Sequence, residues 1–203
     1  MHPGLQAVID MYRQGWFLMH DDERGVTEWV QSARRALIPL DERFHVPRST
    51  RQAVARGKFE ITVDTAFSDV IHGCWQRDRD GGWLHAEIVE VFLALHEEGI
   101  AHSVEAWLTR DGSRELVGGL YGVALGRIFA GESMFSRPEA GGSEASKVCL
   151  VRLVEELRAR KFVALDSQLR NPHMDQFGLY EIDREEYVAM LSGQQIVCES
   201  WRK

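Results

Sequence analysis

Residues 115–136 read ELVGGLYGVALGRIFAGESMFS and contain the pattern on which the fold depends. Glu115 to Ala124 is a strand candidate that is apolar after Glu115, and Gly118-Gly119 interrupts it as a bulge or a close approach between backbones would. Gly126 then turns the chain into a second apolar run, Ile128–Ala130. We therefore predict two neighbouring strands, the second of which ends in the polar segment Gly131–Ser136.

The segments on either side of this stretch alternate between helix and strand. Upstream, Ile88 to Leu95 carry apolar residues at helical spacing, and Ala101–Leu108 is a strand candidate that ends before the turn signal Asp111-Gly112. Downstream, a helix is expected to run to about Arg160, followed by a short buried strand over residues 161–165. This order suits an α+β or an α/β sheet domain.

The N-terminal part has a different pattern. Residues 1 to about 45 are predicted to be a short helical piece, because Leu5, Val8, Ile9 and Tyr12 have helical spacing. We divide the chain into a small N-terminal segment, residues 1–58, and a main domain, residues 59–203.

The bulk composition is that of an ordinary globular protein. The chain has 203 residues, 44% of them hydrophobic, and a net charge of -7. We find no apolar run long enough to span a membrane and no secretory signal at the start, so we expect a cytoplasmic protein without membrane contact. Cys74, Cys149 and Cys198 form no metal-binding spacing, and buried thiols are expected. We expect no metal and no cofactor.

Acidic side chains follow two of the predicted strands. Glu132 follows Gly131, and Asp166 ends the run before Ser167 and Gln168. Asp166 and Gln168 share a face if the strand continues, because residues two apart point the same way. Two acids and an amide at strand ends suit an amine, a proton or a cationic substrate. The alternatives are a solvated polar strand end and, for Glu132, a salt bridge with Arg137.

A basic stretch precedes the main domain. Residues 47–58 contain Arg48, Arg51, Arg56 and Lys58 and no acidic residue. The stretch is either a phosphate-binding helix or an ordinary solvated one.

Several motifs together resemble the leucyl/phenylalanyl-tRNA–protein transferase family. They are Gly118–Gly126, the GESMFS segment at 131–136 followed by Ser146-Lys147, and Leu165–Gln168. The resemblance covers roughly residues 45–191. It departs at Ser167, where the family usually has Cys, and in the N-terminal region, where only Tyr12–Phe17 is similar to the usual aromatic motif.

The resemblance implies both a fold and a reaction. The main domain should be acetyltransferase-like, which means an α+β fold with a mixed sheet and flanking helices. Leu or Phe should move from aminoacyl-tRNA to the N-terminal Arg or Lys of acceptor proteins, which marks them for degradation in the N-degron pathway. The protein should act as a monomer.

The resemblance also assigns roles to residues. It implies catalytic roles for Asp166, Gln168 and Glu132, and tRNA-phosphate contacts for Arg48, Arg51, Arg56 and Lys58. It implies that the donor amino acid and its adenosine contact Leu120, Phe129, Leu153, Leu165, Trp83 and Asn171. Whether Asp166 or a hydroxyl of the tRNA takes the proton stays open. The rival functions are a related acyltransferase with another donor or acceptor and a tRNA-binding protein without turnover.

Overall fold

The computed structural model describes residues 3–21, 24–77, 84–196 and 201. Within this part of the chain, helices and strands follow one another in the order α1 (Pro3–Arg13), β1 (Phe17–Asp21), β2 (Val26–Val30), β3 (Arg34–Ile38), α2 (Arg48–Ala55), β4 (Glu60–Val63), α3 (Phe67–Arg77), α4 (Ala86–Glu97), β5 (Ala101–Arg110), β6 (Ser113–Leu125), β7 (Ile128–Ser136), α5 (Ala145–Ala159), β8 (Ala164–Asp166), α6 (Pro172–Asp175), β9 (Tyr180–Asp183) and α7 (Arg184–Leu191).

A seven-stranded sheet organises the described residues, with the strand order β4-β5-β6-β7-β8-β3-β9. β4 to β7 form an antiparallel meander, whereas β7 and β8 run parallel. β1 and β2 pair separately as an antiparallel hairpin. The prediction of a mixed sheet with flanking helices therefore describes the architecture.

Apolar side chains are buried on both faces of the large sheet. On one face they come from α1, α3, α4 and α7, and include Ile9, Phe92 and Leu191. On the other face α5 supplies most of them, including Cys149 and Leu153. Gly118 on β6 has a packing reason to be glycine, because a Cβ there would lie only 2.5 Å from the Cβ of Ala145 at the start of α5.

The N-terminal segment contains strands as well as the helix predicted for it. α1 is present, but residues 17–38 also supply three strands. β3 is inserted between β8 and β9 and is thus an inner strand of the large sheet. The division at residue 58 stays a prediction, although β3, on its N-terminal side, belongs to that sheet.

The sheet opens between β7 and β8. The two strands pair over Ile128–Ala130 and Ala164–Asp166. β8 then ends, while β7 continues to Ser136 along β6. Beyond this short pairing the two segments of the chain separate, and a cleft lies between them. This cleft holds the polar segments identified from the sequence.

Candidate active site

A first cavity of about 590 Å³ fills the cleft between β7 and β8. Its polar lining comes from the middle of β7 and from the loop after β8, and includes Glu132, Ser133, Ser167, Gln168 and Asn171. Its apolar lining comes from the sheet, α5 and α6: Ile38, Leu120, Met134, Leu150, Leu153, Leu165 and Met174. A pocket with an apolar floor and a few converging polar groups is the usual form of a small-ligand site.

A second cavity of about 490 Å³ adjoins the first. It is lined by the start of β1 and by the loop after β8: Phe17, Leu18, Met19, Leu169, Arg170 and Pro172. Glu132, Ser167, Gln168 and Asn171 line both cavities. These four residues therefore mark the boundary at which molecules in the two cavities would meet.

Glu132 reaches this boundary because it is the extra residue of a β-bulge. Tyr121 of β6 pairs with Ser133, but the next residue, Gly122, pairs with Gly131. A bulge locally redirects a side chain and is frequent beside active sites. The Tyr12 hydroxyl donates to Glu132 Oε1 at 2.9 Å. Within the described chain Oε2 has no hydrogen-bond partner, which leaves this atom for a ligand.

Glu132 is placed to exchange a proton near neutral pH. Its pKa is raised to about 8, chiefly because burial disfavours the charged carboxylate. The hydrogen bond from Tyr12 acts in the opposite direction and lowers this pKa. The pKa of Tyr12 is itself raised well above its usual value by burial and by the neighbouring carboxylate, so Tyr12 stays a donor.

Asp166 forms a buried, bidentate ion pair with Arg35 of β3. Arg35 Nε donates to Oδ1 at 2.8 Å, and its terminal nitrogen donates to Oδ2 at 2.6 Å. The Tyr187 hydroxyl adds a bond to Oδ2 at 2.8 Å, and the backbone N–H of Gln168 adds one to Oδ1 at 2.9 Å. Each oxygen thus already accepts two hydrogen bonds. This arrangement suits a group that holds other residues in place.

Arg35 is enclosed by the N-terminal segment as well. Its guanidinium lies 4.5 Å from the centre of the Phe17 ring and 4.6 Å from that of Tyr187, and it donates to the carbonyl oxygen of Gly15 at 3.2 Å. Burial lowers the pKa of Arg35, but the Asp166 carboxylate more than offsets this and the net shift is upward. Arg35 therefore stays charged, and its bonds to Asp166 and contacts with Phe17 and Tyr187 join β1, β3, β8 and α7.

Gln168 adopts a left-handed backbone conformation, with φ of 55°. Such a conformation is uncommon for a residue other than glycine and is found often at functional sites. The Asp166 carboxylate holds this turn through the Gln168 N–H. The Gln168 side chain then crosses the cleft, and its Nε2 donates to the carbonyl oxygen of Gly131 at 3.0 Å. The turn therefore brings the amide beside Glu132.

The structure brings most of the predicted ligand-binding residues to the first cavity. Leu120, Leu153 and Leu165 lie in its floor, and Asn171 lies on its rim, where its side chain also accepts from the His173 N–H at 2.8 Å. Phe129 is placed elsewhere: it is fully buried near Phe162 and Trp201. Trp83 lies outside the described residues.

The predicted basic residues lie on and after α2. Arg48, Arg51, Arg56 and Lys58 are all exposed, and Lys58 also donates to the carbonyl oxygen of Ser143 at 3.1 Å. α2 is tied to the start of α5, because Thr50 and Ser49 donate to Glu144 at 2.6 and 3.1 Å. Ser146, two residues further along, lines the first cavity. α2 is therefore linked to the start of α5, a helix that contributes to the first cavity.

The alternatives considered for these groups have different outcomes. Arg137 donates to the carbonyl oxygen of Leu116 at 3.1 Å, while Glu132 accepts from Tyr12. Cys74 and Cys149 are buried, as expected, and Cys198 lies outside the described residues. Among the described residues we find no group of three His, Cys, Asp or Glu side chains suited to a metal ion. None of the helices in the same part of the chain is long and apolar enough to cross a membrane.

The sheet, its cleft and its flanking helices define the class of the protein. The fold is acetyltransferase-like, as predicted. It is similar to the crystal structure of FemX, with a TM-score of 0.56 and 12% identity over 89% of this chain and 67% of that one.

Sequence comparison then identifies the family. The model described as leucyl/phenylalanyl-tRNA protein transferase matches residues 37–192. The protein of that name from Herpetosiphon aurantiacus is 50% identical over 92% of this chain and 91% of the relative. The one from Akkermansia muciniphila is 46% identical over 92% of this chain and 93% of the relative. This chain belongs to the leucyl/phenylalanyl-tRNA–protein transferase family, which confirms the predicted resemblance.

Sequence reasoning missed three residues that hold the site together. Arg35, Tyr187 and Tyr12 contact the carboxylates of Asp166 and Glu132, yet the sequence analysis gave none of the three a role in the site. One signal was available for Tyr12, which begins the aromatic motif Tyr12–Phe17. For Arg35 the available signal was its position directly before the short apolar run Ala36-Leu37-Ile38.

We predict that Arg35→Met destabilises the protein by about 3–5 kcal/mol, because it leaves the Asp166 carboxylate buried without its cationic partner. Urea unfolding followed by circular dichroism measures this change. Arg34→Met, one residue earlier and exposed, is the matched control and should cost less than about 1 kcal/mol. Equal stabilities of the two variants would contradict the role given to the ion pair.

Proposed function

We propose that this chain moves Leu or Phe from aminoacyl-tRNA to the N-terminal Arg or Lys of acceptor proteins. The reaction forms a peptide bond and marks the acceptor for degradation. The observation that carries the proposal is the Glu132 carboxylate, which a β-bulge places where the two cavities meet. Membership of the family supports the donor and the type of reaction, and the choice of Arg or Lys rests on the family resemblance.

The donor amino acid fits the first cavity. Its floor of Leu120, Leu153 and Leu165 suits an apolar side chain. Such a floor discriminates weakly among apolar side chains, by about 1–3 kcal/mol per methylene group, so both Leu and Phe are reasonable donors. The polar rim then lies beside the ester carbonyl that joins the amino acid to the ribose.

The chemistry needs little more than positioning and one proton acceptor. The acceptor amine attacks the ester carbonyl, a C–N bond forms, and the C–O bond to the ribose breaks as the ribose hydroxyl leaves with a proton. A terminal amine has a pKa of about 7.7–8.0, close to that of Glu132, so a proton passes between them at little cost. Glu132 Oε2 takes the ammonium proton and orients the resulting amine.

Asp166 and Gln168 support this step in different ways. Asp166, paired with Arg35, fixes the turn that carries Gln168. In the described chain the Gln168 amide oxygen has no hydrogen-bond partner, so it is available to accept from the amine, while its Nε2 is held by Gly131. We assign the positioning role to Asp166 and the contact with the reacting groups to Gln168 and Glu132.

The exposed arginines of α2 give tRNA its phosphate contacts. Arg48, Arg51 and Arg56, with Lys58, lie on and after α2, and α2 is linked through Glu144 to the start of α5, a helix that contributes to the first cavity. We further propose that residues 1–58 form a small N-terminal segment, that the protein acts as a monomer, and that it acts in the cytoplasm.

A transfer assay tests the proposed function. Purified protein is mixed with Leu-tRNA or Phe-tRNA, labelled on the amino acid, and with peptides that begin with Arg, Lys, Asp or Ala. We expect label on the Arg and Lys peptides and none on the Ala peptide. Label on the Asp peptide alone would overturn the acceptor assignment. No transfer to any peptide, with both tRNAs intact, would overturn the reaction.

Activity should rise with pH through about 8, because Glu132 must be ionised to take a proton and its pKa is about 8. Tyr12→Phe removes a hydrogen bond that lowers this pKa, so the acidic limb of the kcat/KM profile should move to higher pH. The profile is measured with one acceptor peptide from pH 6 to 10. Tyr180→Phe, on β9 and away from both cavities, should leave the limb in place. A limb that does not move in Tyr12→Phe would contradict the role of Glu132.

Removing charge from α2 should weaken tRNA binding and its dependence on salt. For Arg48→Gln or Arg51→Gln we expect the slope of log K against log salt to fall by about 1, because binding through one phosphate fewer releases one counterion fewer. Filter binding of tRNA at several salt concentrations measures the slope. Arg127→Gln, in the turn between β6 and β7, is the matched control. An equal change in slope for Arg127→Gln would argue against a specific basic surface.

A further inference from the structure

We propose that Trp201 anchors a C-terminal strap, and that this strap holds Tyr12 and Tyr187 against the two carboxylates of the site. The strap is defined as residues 192–196 together with Trp201. Trp201 is thus a positioning residue, which acts on the site through the two tyrosines. The inference rests on the proposed function, because it concerns how the same site keeps its working geometry.

The indole ring of Trp201 is enclosed by aromatic and charged side chains. Trp201 is 1% exposed, and its ring lies nearly parallel to that of His102, with 3.9 Å between the ring centres. The Arg160 guanidinium lies 4.7 Å from the centre of the indole, and the Phe162 ring meets it edge-on at 5.7 Å. Burial of so large a ring among such partners ties this residue firmly to one place.

The backbone of Trp201 is held as well, by the buried carboxylate of Asp64. The Trp201 N–H donates to Asp64 Oδ2 at 3.1 Å. His102 Nδ1 donates to the same oxygen at 2.8 Å, and the Ser103 N–H donates to Oδ1 at 2.9 Å. Asp64 therefore fixes both the imidazole that supports the indole and the chain that carries the indole.

The strap passes from one face of the large sheet to the other. Leu191, at the end of α7, and Ile196 pack in the core on the first face, whereas Trp201 belongs to the core on the second. On the way the strap contacts the turn between β6 and β7, where a Cβ on Gly126 would lie only 2.6 Å from the Cβ of Gln194. The strap therefore lies directly against this turn.

The strap is attached to two helices of the first face. α7 leads directly into it, and Gln194 Nε2 donates back to the carbonyl oxygen of Met190 at 3.2 Å. α1 is attached through Arg13, whose terminal nitrogen donates to the carbonyl oxygen of Gln194 at 3.0 Å. An anchor at Trp201 therefore restrains α1 and α7 together.

These two helices carry the tyrosines that contact the carboxylates. Tyr12 of α1 donates to Glu132 at 2.9 Å, and Tyr187 of α7 donates to Asp166 at 2.8 Å. Neither tyrosine lines the first or the second cavity, so each acts on the reacting groups through its carboxylate. In a site that works mainly by positioning, a displacement of about 1 Å can cost about 100-fold in rate.

Trp201→Gly in the full-length chain tests the strap, because added indole can refill the space that the variant leaves. We expect kcat to fall about tenfold and KM for aminoacyl-tRNA to stay within about twofold, since the lining of both cavities is unchanged. Indole at millimolar concentration should restore kcat.

The pH profile of the same variant gives a second readout. The hydrogen bond from Tyr12 lowers the pKa of Glu132, while the charged neighbours Asp166 and Arg35 are unchanged in Trp201→Gly. A loosened Tyr12 should therefore move the acidic limb of kcat/KM to higher pH, in the same direction as Tyr12→Phe does. A limb that stays in place while kcat falls would overturn the part of the inference that concerns Tyr12.

Leu157→Ala is the matched control, since it removes a buried side chain from the same core as Trp201 and leaves the strap intact. Both variants are assayed at a temperature at which circular dichroism shows them folded. The control should lower the midpoint of urea unfolding but leave kcat and the acidic limb unchanged. Equal losses of kcat in the two variants would mean that Trp201 only stabilises the fold, and would overturn the inference.

Tyrosine signals measure the proposed cause directly and require no activity. In protein labelled with carbon-13 at the tyrosine Cζ atoms, Trp201→Gly should shift the signals of Tyr12 and Tyr187 and leave that of Tyr180, on β9, in place. Arg13→Met is a milder variant that detaches only α1 from the strap, and it should shift Tyr12 alone. Unshifted Tyr12 and Tyr187 signals in Trp201→Gly, or an unshifted Tyr12 signal in Arg13→Met where the first variant does not fold, would overturn the inference.

These experiments separate the inference from the proposed function. If the parent protein transfers no amino acid, the proposed function fails, and the tyrosine signals still report whether the strap holds the two helices. If transfer occurs but the tyrosine signals do not move, the proposed function stands and the role of the strap is overturned.

Discussion

The bidentate ion pair between Arg35 and Asp166 is the interaction on which the rest of the site depends. It joins residues 131 positions apart in the sequence, with both side chains buried. Two charges removed from water are costly unless their hydrogen bonds are satisfied. Tyr187, the Gln168 N–H, the Gly15 carbonyl and the flanking rings supply those bonds and contacts. The pair therefore fixes the turn after β8 against both the N-terminal and the C-terminal segments.

A second constraint is the geometry of β7. Its pairing with β8 is short, and its pairing with β6 contains the bulge at Glu132. The first feature opens the sheet, and the second places a carboxylate in the opening. The same sheet that gives the domain its rigidity thus presents a titratable group with a raised pKa between two cavities. Rigid support of this kind is what a site that mainly positions its substrates requires.

The sequence predicted the parts of the fold that have local patterns. β6, β7 and α5 follow from their apolar runs and glycines, and Glu132, Asp166 and Gln168 were identified because they follow such runs. β3 was missed, since RRALI places a charged residue inside a strand and only a partner far along the chain makes its burial possible. The bulge was not predictable either, because it depends on the register between two strands and not on the composition of one. Phe129 was assigned to the ligand pocket from the resemblance, whereas its position near Trp201 depends on how the chain after α7 packs.

The position of β3 also bears on how the protein is made. β3 emerges early in synthesis, but its neighbours in the sheet are β8 and β9, which emerge only near the end. Contacts between segments so distant in sequence are slow to form, because a long loop must close first. A nascent chain that stops before residue 183 therefore leaves β3 without one of its two sheet neighbours and Asp166 without Tyr187. The transferase site is completed only when nearly the whole chain has left the ribosome, so incomplete chains would lack an assembled site for modifying other proteins.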